Sequence, residues 1–221
     1  MMPCALEYQL LDQDLLLIPQ KAIFWQQQKA LIAADVHLGK VGHFRKSGIA
    51  VPRELEQDDL AVLSDLIFEY RPEQLIFLGD FFHSDINADW EWFKLWRQQF
   101  PKLKIVLIRG NHDIIHDNYY LELNIELHHE LVVGPFLMLH HPLSDAKLKE
   151  AAGYVFCGHI HPGVSLSGRG RQHVTIPCFA FGQKQVVLPS FGKFTGRVNM
   201  RHQQTDHIFG VLKDKIIRLT Q

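Results

Sequence analysis

Three kinds of feature are scarce in this sequence: cysteine, long apolar runs and an excess of charge of either sign. Its 221 residues contain three cysteines, Cys4, Cys157 and Cys178, widely spaced and odd in number. None forms a C-x-x-C pair, which excludes a zinc finger and a disulfide framework. The longest apolar run, "LVVGPFLML", is too short to span a bilayer. The opening "MMPCALEYQLLDQDLLLIP" has no basic n-region, and Glu7, Asp12 and Asp14 interrupt its apolar residues, so no signal peptide is expected. A reducing cytoplasm is the expected location. With 23 Lys and Arg against 24 Asp and Glu, net charge is −1. Such a chain does not coat itself on nucleic acid by bulk electrostatics, so a polyanionic substrate would need a local site.

No internal repeat, low-complexity tract or Gly/Ser/Pro-rich linker breaks the chain. A single domain over residues 1–221 is therefore expected, and 47% hydrophobic residues suffice for a sizeable core. "ALIAAD", "QLIFLGD" and "LKIVLIRGN" have the near-continuous apolar character of buried strands. Between them, "PRELEQDDLAVLSDLIFEY" sets Leu60, Leu63, Ile67 and Tyr70 on one helical stripe, and Pro52 suits a helix start. "ADWEWFKLWRQQF" has the pattern of a second amphipathic helix. This β-α-β-α-β order predicts a parallel sheet with helices on its faces. Further on, "FLMLHH" and "YVFCGH" look like buried strands. "VSLSG", "HVTIP" and "KQVVLP" are shorter strand-like pieces that predict antiparallel additions to a second sheet. The expectation is an α/β layered sandwich.

Histidine is the one type in unusual supply, at 14 residues, and its placement is not random. Each predicted buried strand ends in groups able to ligate a metal: Asp35 and His37, Asp80 and His83, Asn111 with His112 and Asp113, His140 and His141, His159 and His161. Sites in open α/β sheets form outside the carboxyl ends of strands. Converging there, these groups make an oxygen-and-nitrogen donor set without thiolate, suited to Mn²⁺, Fe, Zn²⁺ or Co²⁺ rather than Ca²⁺ alone. Seven or more donors are too many for one ion. Two ions about 3.5–4 Å apart sharing a carboxylate would use them, and that arrangement serves in-line displacement at phosphorus.

The ordered set D-x-H, G-D-x-x-H, G-N-H-D, a strand-end His and G-H-x-H, running from Asp35 to His161, resembles the calcineurin-like metallophosphoesterases. The resemblance implies a four-layer fold of two mixed β-sheets flanked by helices. It further implies Asp35, His37 and His161 on one metal, Asn111, His140 and His159 on the other, and Asp80 bridging both. "ADVHLGKVGHFRKSGIAVP", "IPCF" and "LPSFGKFTG" are similar to segments of the bacterial DNA-ligase-associated subgroup. That similarity implies a role in DNA repair, with a ligase or helicase as partner.

Hydrolysis of a phosphodiester, in DNA or a smaller molecule, follows as the expected activity, with Mn²⁺ the first choice of metal. His112, not required as a ligand, becomes the expected proton donor to the leaving oxygen. Asp113 is expected to orient its imidazole. Lys40 and Arg45, and the neighbouring Lys46, are candidates for contact with substrate phosphate. Arg109 is a weaker one. His83 is expected to hydrogen-bond beside the metals, and of the pair His140–His141 the first is taken as the ligand. The other histidines and the tryptophans of "ADWEWFKLWRQQF" are read as surface or packing residues. A monoesterase or pyrophosphohydrolase on the same core is the alternative activity. A non-catalytic scaffold is the alternative of another class, disfavoured by the complete donor set.

Overall fold

A computed structural model describes residues 5–40, 54–83, 85–168, 173–193, 195–200 and 203–220, with side chains of residues 54–57 left aside. Its centre is a seven-stranded sheet in chain order. Three antiparallel strands, β1 (Leu6–Leu10), β2 (Gln13–Ile18) and β3 (Ala22–Trp25), lead into β4 (Ala30–Ala33). From β4 the pairing turns parallel, through β5 (Gln74–Leu78), β6 (Lys104–Ile108) and β7 (Ile125–His128). The crossovers are helices α1 (Glu54–Tyr70), α2 (Ala88–Gln99) and the short α3 (Asp117–Leu121). The expected β-α-β-α-β unit is therefore β4 to β6. The antiparallel strands before it and β7 after it were not anticipated. Short strands broken by polar turns carry too little periodicity to be read.

Strand residues alternate between two cores, as the pleat requires. Leu31, Ala33, Leu75, Phe77, Ile105 and Leu107 face the helices, meeting Leu63, Leu66, Trp90, Phe93 and Trp96. Ile32, Ala34, Ile76, Leu78, Val106 and Ile108 face the second sheet, meeting Phe136, Met138, Phe156 and Phe179. The stripe Leu60–Leu63–Ile67 is buried as expected, and Trp90 and Trp96 pack while Trp92 stays half exposed. Trp96 Nε1 donates to Ser64 Oγ at 2.9 Å, joining α2 to α1.

The second sheet has nine strands among the described residues. β8 (Leu131–Val133) and β9 (Phe136–Met138) form a hairpin turned at Gly134, whose φ is +53°. The run "LVVGPFLML" is thus two strands. β9 pairs in parallel with β10 (Tyr154–Cys157), reached through α4 (Asp145–Glu150). The later pieces are mainly antiparallel, as expected: β11 (Pro162–Ser167), β12 (His173–Phe181) and β13 (Gln185–Val187), with β13 parallel to β10. β14 (Val198–Asn199) pairs β11, while β15 (His207–Val211) pairs β12 and then β16 (Ile216–Arg218). α4 and its flanking loops cover part of the outer face through Leu143, Leu148 and Ala151. Helices, sheet, sheet and helix make the four layers of the expected sandwich.

One polar seam ties α1 to both sheets. Lys21, in the β2–β3 turn, donates to Gly192 O at 3.2 Å, and Lys193 pairs with Asp58 of α1 at 2.7 Å. Burial pulls Lys21 down from 10.5 to about 8 and pushes its neighbour Asp59 up from 3.8 to about 6. The folded chain holds the Lys21 proton less tightly than the unfolded chain does. Stability should therefore rise as pH climbs from about 8 towards 10.5. It holds the Asp59 proton more tightly, so stability should fall as pH climbs from about 4 to about 6. Urea midpoints across pH, in wild type and in a Lys21→Met/Asp59→Asn double variant, check both slopes, which should flatten in the variant.

Candidate metal centre

The strand ends converge where the two sheets meet. Ala34 bridges Ser190 in parallel, Phe191 N donates to Ala34 O at 2.8 Å and Gly192 N to Asp35 O at 3.2 Å. Ser190 Oγ adds a 2.7 Å bond to Asp35 O. The "LPSFGKFTG" segment therefore stitches the second sheet onto the end of β4. Asp35 N donates to Gly79 O at 3.1 Å and His37 N to Asp80 O at 2.9 Å, locking β4 to β5 just beyond their last paired residues.

Five of the expected ligands sit in left-handed backbone: Asp35 (φ 53°), His37 (54°), Asp80 (47°), His159 (70°) and His161 (54°). Non-glycine residues adopt this region rarely, at a cost of about 1–3 kcal/mol each, and cluster there at functional sites. The sharp turns swing each side chain over the sheet ends. They also explain two motif glycines. A Cβ on Gly79 would lie 2.1 Å from His140 Nδ1, and one on Gly158 would lie 2.5 Å from Asp35 Oδ2. Only glycine lets the donors approach so closely.

The donors form one connected set. Asp35, His37 and His161 each bring a ligand atom within 4.8 Å of the others, as do Asp35, Asp80 and His140, and as do His140, His141 and His159. His37 Nε2 lies 3.4 Å from His161 Nε2, and His140 Nε2 lies 3.1 Å from Asn111 Oδ1 and 3.2 Å from His159 Nδ1. His140 Nδ1–H donates to Leu78 O at 2.9 Å, which turns Nε2 toward the cluster, 3.5 Å from Asp80 Oδ1. His140 is buried and His141 exposed, yet both reach the set. The sequence reading named both and took His140 as the ligand; the cluster geometry brings His141 within reach as well.

Asp35 shows that this set suits a cation. Its carboxylate is fully buried. Oδ2 accepts from His159 N at 2.9 Å, while Oδ1 has no hydrogen-bond partner. A buried, unpartnered carboxylate oxygen facing imidazoles at 3.7 Å (His161) and 3.9 Å (His140) costs heavily unless a positive charge sits beside it. Burial would push Asp80 up, but His140 and the His112 N–H outweigh it and hold its carboxyl well below the usual range. Burial also draws His37 far below the ordinary imidazole value, keeping it neutral as a ligand must be.

His112 stands at the rim, exposed, with its N–H on Asp80 Oδ1 at 2.9 Å and its ring 5.7 Å from His37 and 4.6 Å from His83. His83 Nδ1 is 3.3 Å from His37 Nδ1, beside the cluster as expected. Lys40 is half-buried, and burial lowers its ammonium while the Asp80 and Asp35 carboxylates pull it the other way. Arg45 and Lys46 lie outside the described residues.

Asp113 is not where the sequence reading put it. Its Oδ1 accepts from Phe81 N and Phe82 N at 2.8 and 3.0 Å, and its Oδ2 from Gly110 N at 2.8 Å. It is buried and pins the β5 and β6 loops together rather than orienting the His112 imidazole. Arg109 is likewise structural: its guanidinium bonds the Asp113 carbonyl, Ile115 O at 3.1 Å and the Asp117 carboxylate.

Comparison with known proteins follows this geometry. The calcineurin-like phosphoesterase family matches residues 29–137. The chain is similar to the crystal structure of the Pseudomonas putida nuclease MPE, with 32% identity and a TM-score of 0.81, over 98% of this chain and 100% of that one. The chain belongs to the calcineurin-like phosphoesterases. It is a metal-dependent phosphoester hydrolase, with the divalent-metal requirement of that family. A phosphoesterase from E. coli, Yfce, aligns over 86% of this chain and 98% of its own at 13% identity and a TM-score of 0.43, too distant to carry weight. A search of curated proteins finds no match.

Metal should stabilise this phosphoesterase through the cluster. Mn²⁺ at about a hundred times its Kd adds about 2.7 kcal/mol, a rise in Tm of roughly 5–10 °C for a chain this size. Asp35→Asn and Asp80→Asn should abolish that rise in a thermal scan. Asp113→Ala should instead lower stability by about 2–4 kcal/mol, through three orphaned buried N–H groups, and keep the metal-dependent rise.

Proposed function

We propose that this phosphoesterase is a dinuclear phosphodiesterase acting on nucleic acid, a nuclease associated with DNA repair. The observation that carries the reading is an unbroken donor set with an exposed imidazole, His112, fixed at its edge by a backbone bond to Asp80. The similarity to a nuclease along the whole chain supports it.

Asp35, His37 and His161 would hold one ion, Asn111, His140 and His159 the other, and Asp80 both; Mn²⁺ suits this mixed oxygen-and-nitrogen set. Two such ions would supply Lewis acidity and bring the pKa of water towards neutrality. His112 gives its proton to the leaving oxygen, which matters most when that oxygen belongs to a nucleoside, a poor leaving group. His83, facing the His112 ring, limits where that ring can turn. Lys40, and Arg45 in the loop beyond it, neutralise a nonbridging phosphate oxygen. The similarity to DNA-ligase-associated enzymes adds a cytoplasmic setting and a ligase or helicase partner to the proposal.

With Mn²⁺ present, wild type should turn over a thymidine dinucleotide and bis(p-nitrophenyl) phosphate faster than p-nitrophenyl phosphate. His112→Ala should lower turnover of the dinucleotide 10²–10⁴-fold, and that of the activated aryl diester far less. Asp80→Ala should lose both. Cleavage of the monoester alone by wild type would sink the diester reading.

A further inference from the structure

Beside the donor set lies a cavity of about 470 Å³. Asn111, His140 and His141 line it with Gly110, and His129, Leu139 and Leu143 line it beyond; Arg109 and Asp113 also border it, with their charged ends engaged by Asp117 and by the Phe81, Phe82 and Gly110 N–H groups. His112 does not line it, and the ring neighbours of His112, His37 and His83, do not either. The cluster therefore has two different flanks, one with a proton donor and one with a pocket.

The pocket wall is built and held. Leu139 and Leu143 pack onto Leu137, Val155, Cys157 and Val187. The backbone of Leu143 is gripped from both sides: its N–H donates to Gln185 Oε1 at 3.1 Å, and Gln185 Nε2 donates to its carbonyl at 3.3 Å. Leu139 N donates to Phe156 O at 2.9 Å. His129 follows directly on β7, whose last residue accepts from Arg109 N at 2.8 Å. Two leucines on held backbone and the exposed imidazoles of His129 and His141 suit a flat, weakly polar aromatic ring.

We infer that this cavity binds the nucleobase of the nucleoside that stays esterified to the phosphate. The inference rests on the phosphodiesterase reading for what reaches the cluster. A diester phosphorus has two ester oxygens, and the one beside His112 departs. A water oxygen adds to phosphorus and gives up a proton to solvent, the bond from phosphorus to the departing oxygen breaks, and the His112 proton goes to that departing oxygen. The second ester oxygen points its substituent away from His112, towards the Asn111–His140 flank and into the cavity. The product carrying the bound base is a nucleoside monophosphate, so the cavity makes the enzyme select among diesters by their retained half.

The test is binding, independent of turnover. Calorimetric titrations of the Mn²⁺-loaded protein compare inorganic phosphate with thymidine 5′-monophosphate and thymidine 3′-monophosphate. At least one nucleotide should bind about tenfold tighter than phosphate, the range of one base-stacking contact. His129→Ala and Leu143→Ala should each cut that advantage, and together they should bring the nucleotide to the affinity of phosphate. His129 is exposed, so its variant keeps the test valid should the half-buried Leu143 be needed for folding. Nucleotides no tighter than phosphate, or an advantage that survives in the double variant, would overturn the inference. Turnover of methyl p-nitrophenyl phosphate is measured alongside. Its absence would overturn the diesterase reading while the binding comparison still decides the cavity.

Discussion

Everything at this centre hangs on Asp35. Its N–H bonds the β5 end, its carbonyl takes Ser190 Oγ and Gly192 N from the second sheet, and its Oδ2 takes His159 N from the β10 end. Three elements from two sheets are thereby fixed around one residue in left-handed backbone. What the fold leaves open is Oδ1, buried and unpartnered. A buried carboxylate with a free lone pair is destabilising in itself, and the surrounding network holds it there regardless. The two sheets are thus stabilised by bonds that force a cation site into existence between them. That arrangement ties metal affinity to the same contacts that join the halves of the sandwich.

The parts legible in the sequence are those where one residue type dominates. Apolar runs at β4, β5, β6, β9 and β10 announced buried strands, and the Asp, Asn and His residues after them announced the cluster. Hidden were features that depend on backbone direction or on partners remote in sequence. No pattern shows that Asp35, His37, Asp80, His159 and His161 share left-handed φ angles. Asp113 was misread for a related reason. Adjacency to His112 invited a pairing of side chains, but a residue in a tight turn turns its carboxylate inward, to the N–H groups of Phe81, Phe82 and Gly110. Of the pair "HH" the sequence reading chose His140 alone, whereas the turn beyond β9 brings both to the set. The N-terminal strands escaped because they run for only four to six residues and only the first alternates in burial.

The absence of net charge now has a structural counterpart. A chain with 23 basic and 24 acidic residues cannot gather a polyanion by its overall field. Attraction must come from the centre itself, where divalent metal held by the donor set would outweigh the Asp35 and Asp80 carboxylates and Lys40 adds a partly desolvated positive charge. Selectivity then has to come from short-range shape, not steering. That places the burden on the walls around the cluster and gives the apolar cavity beyond His140 its significance.

Those walls are rigid by construction. The loop from Gly110 to Ile115 is held at its base by the Arg109 guanidinium, which bonds two of its carbonyls and the first carboxylate of α3. Asp113 clamps the same loop to β5 from within. Between these two anchors, Asn111 and His112 project on opposite duties, one to the cluster and one to solvent. A proton donor on a mobile loop would spend part of its catalytic effect on being brought into place. Here the His112 backbone is held by Asp80, a member of the donor set, so under the proposed reading little of that cost remains. The turn that looked like three consecutive chemical residues holds a structural bolt in Asp113, and beside it Asn111 Oδ1 meets His140 Nε2 and the His112 N–H meets Asp80.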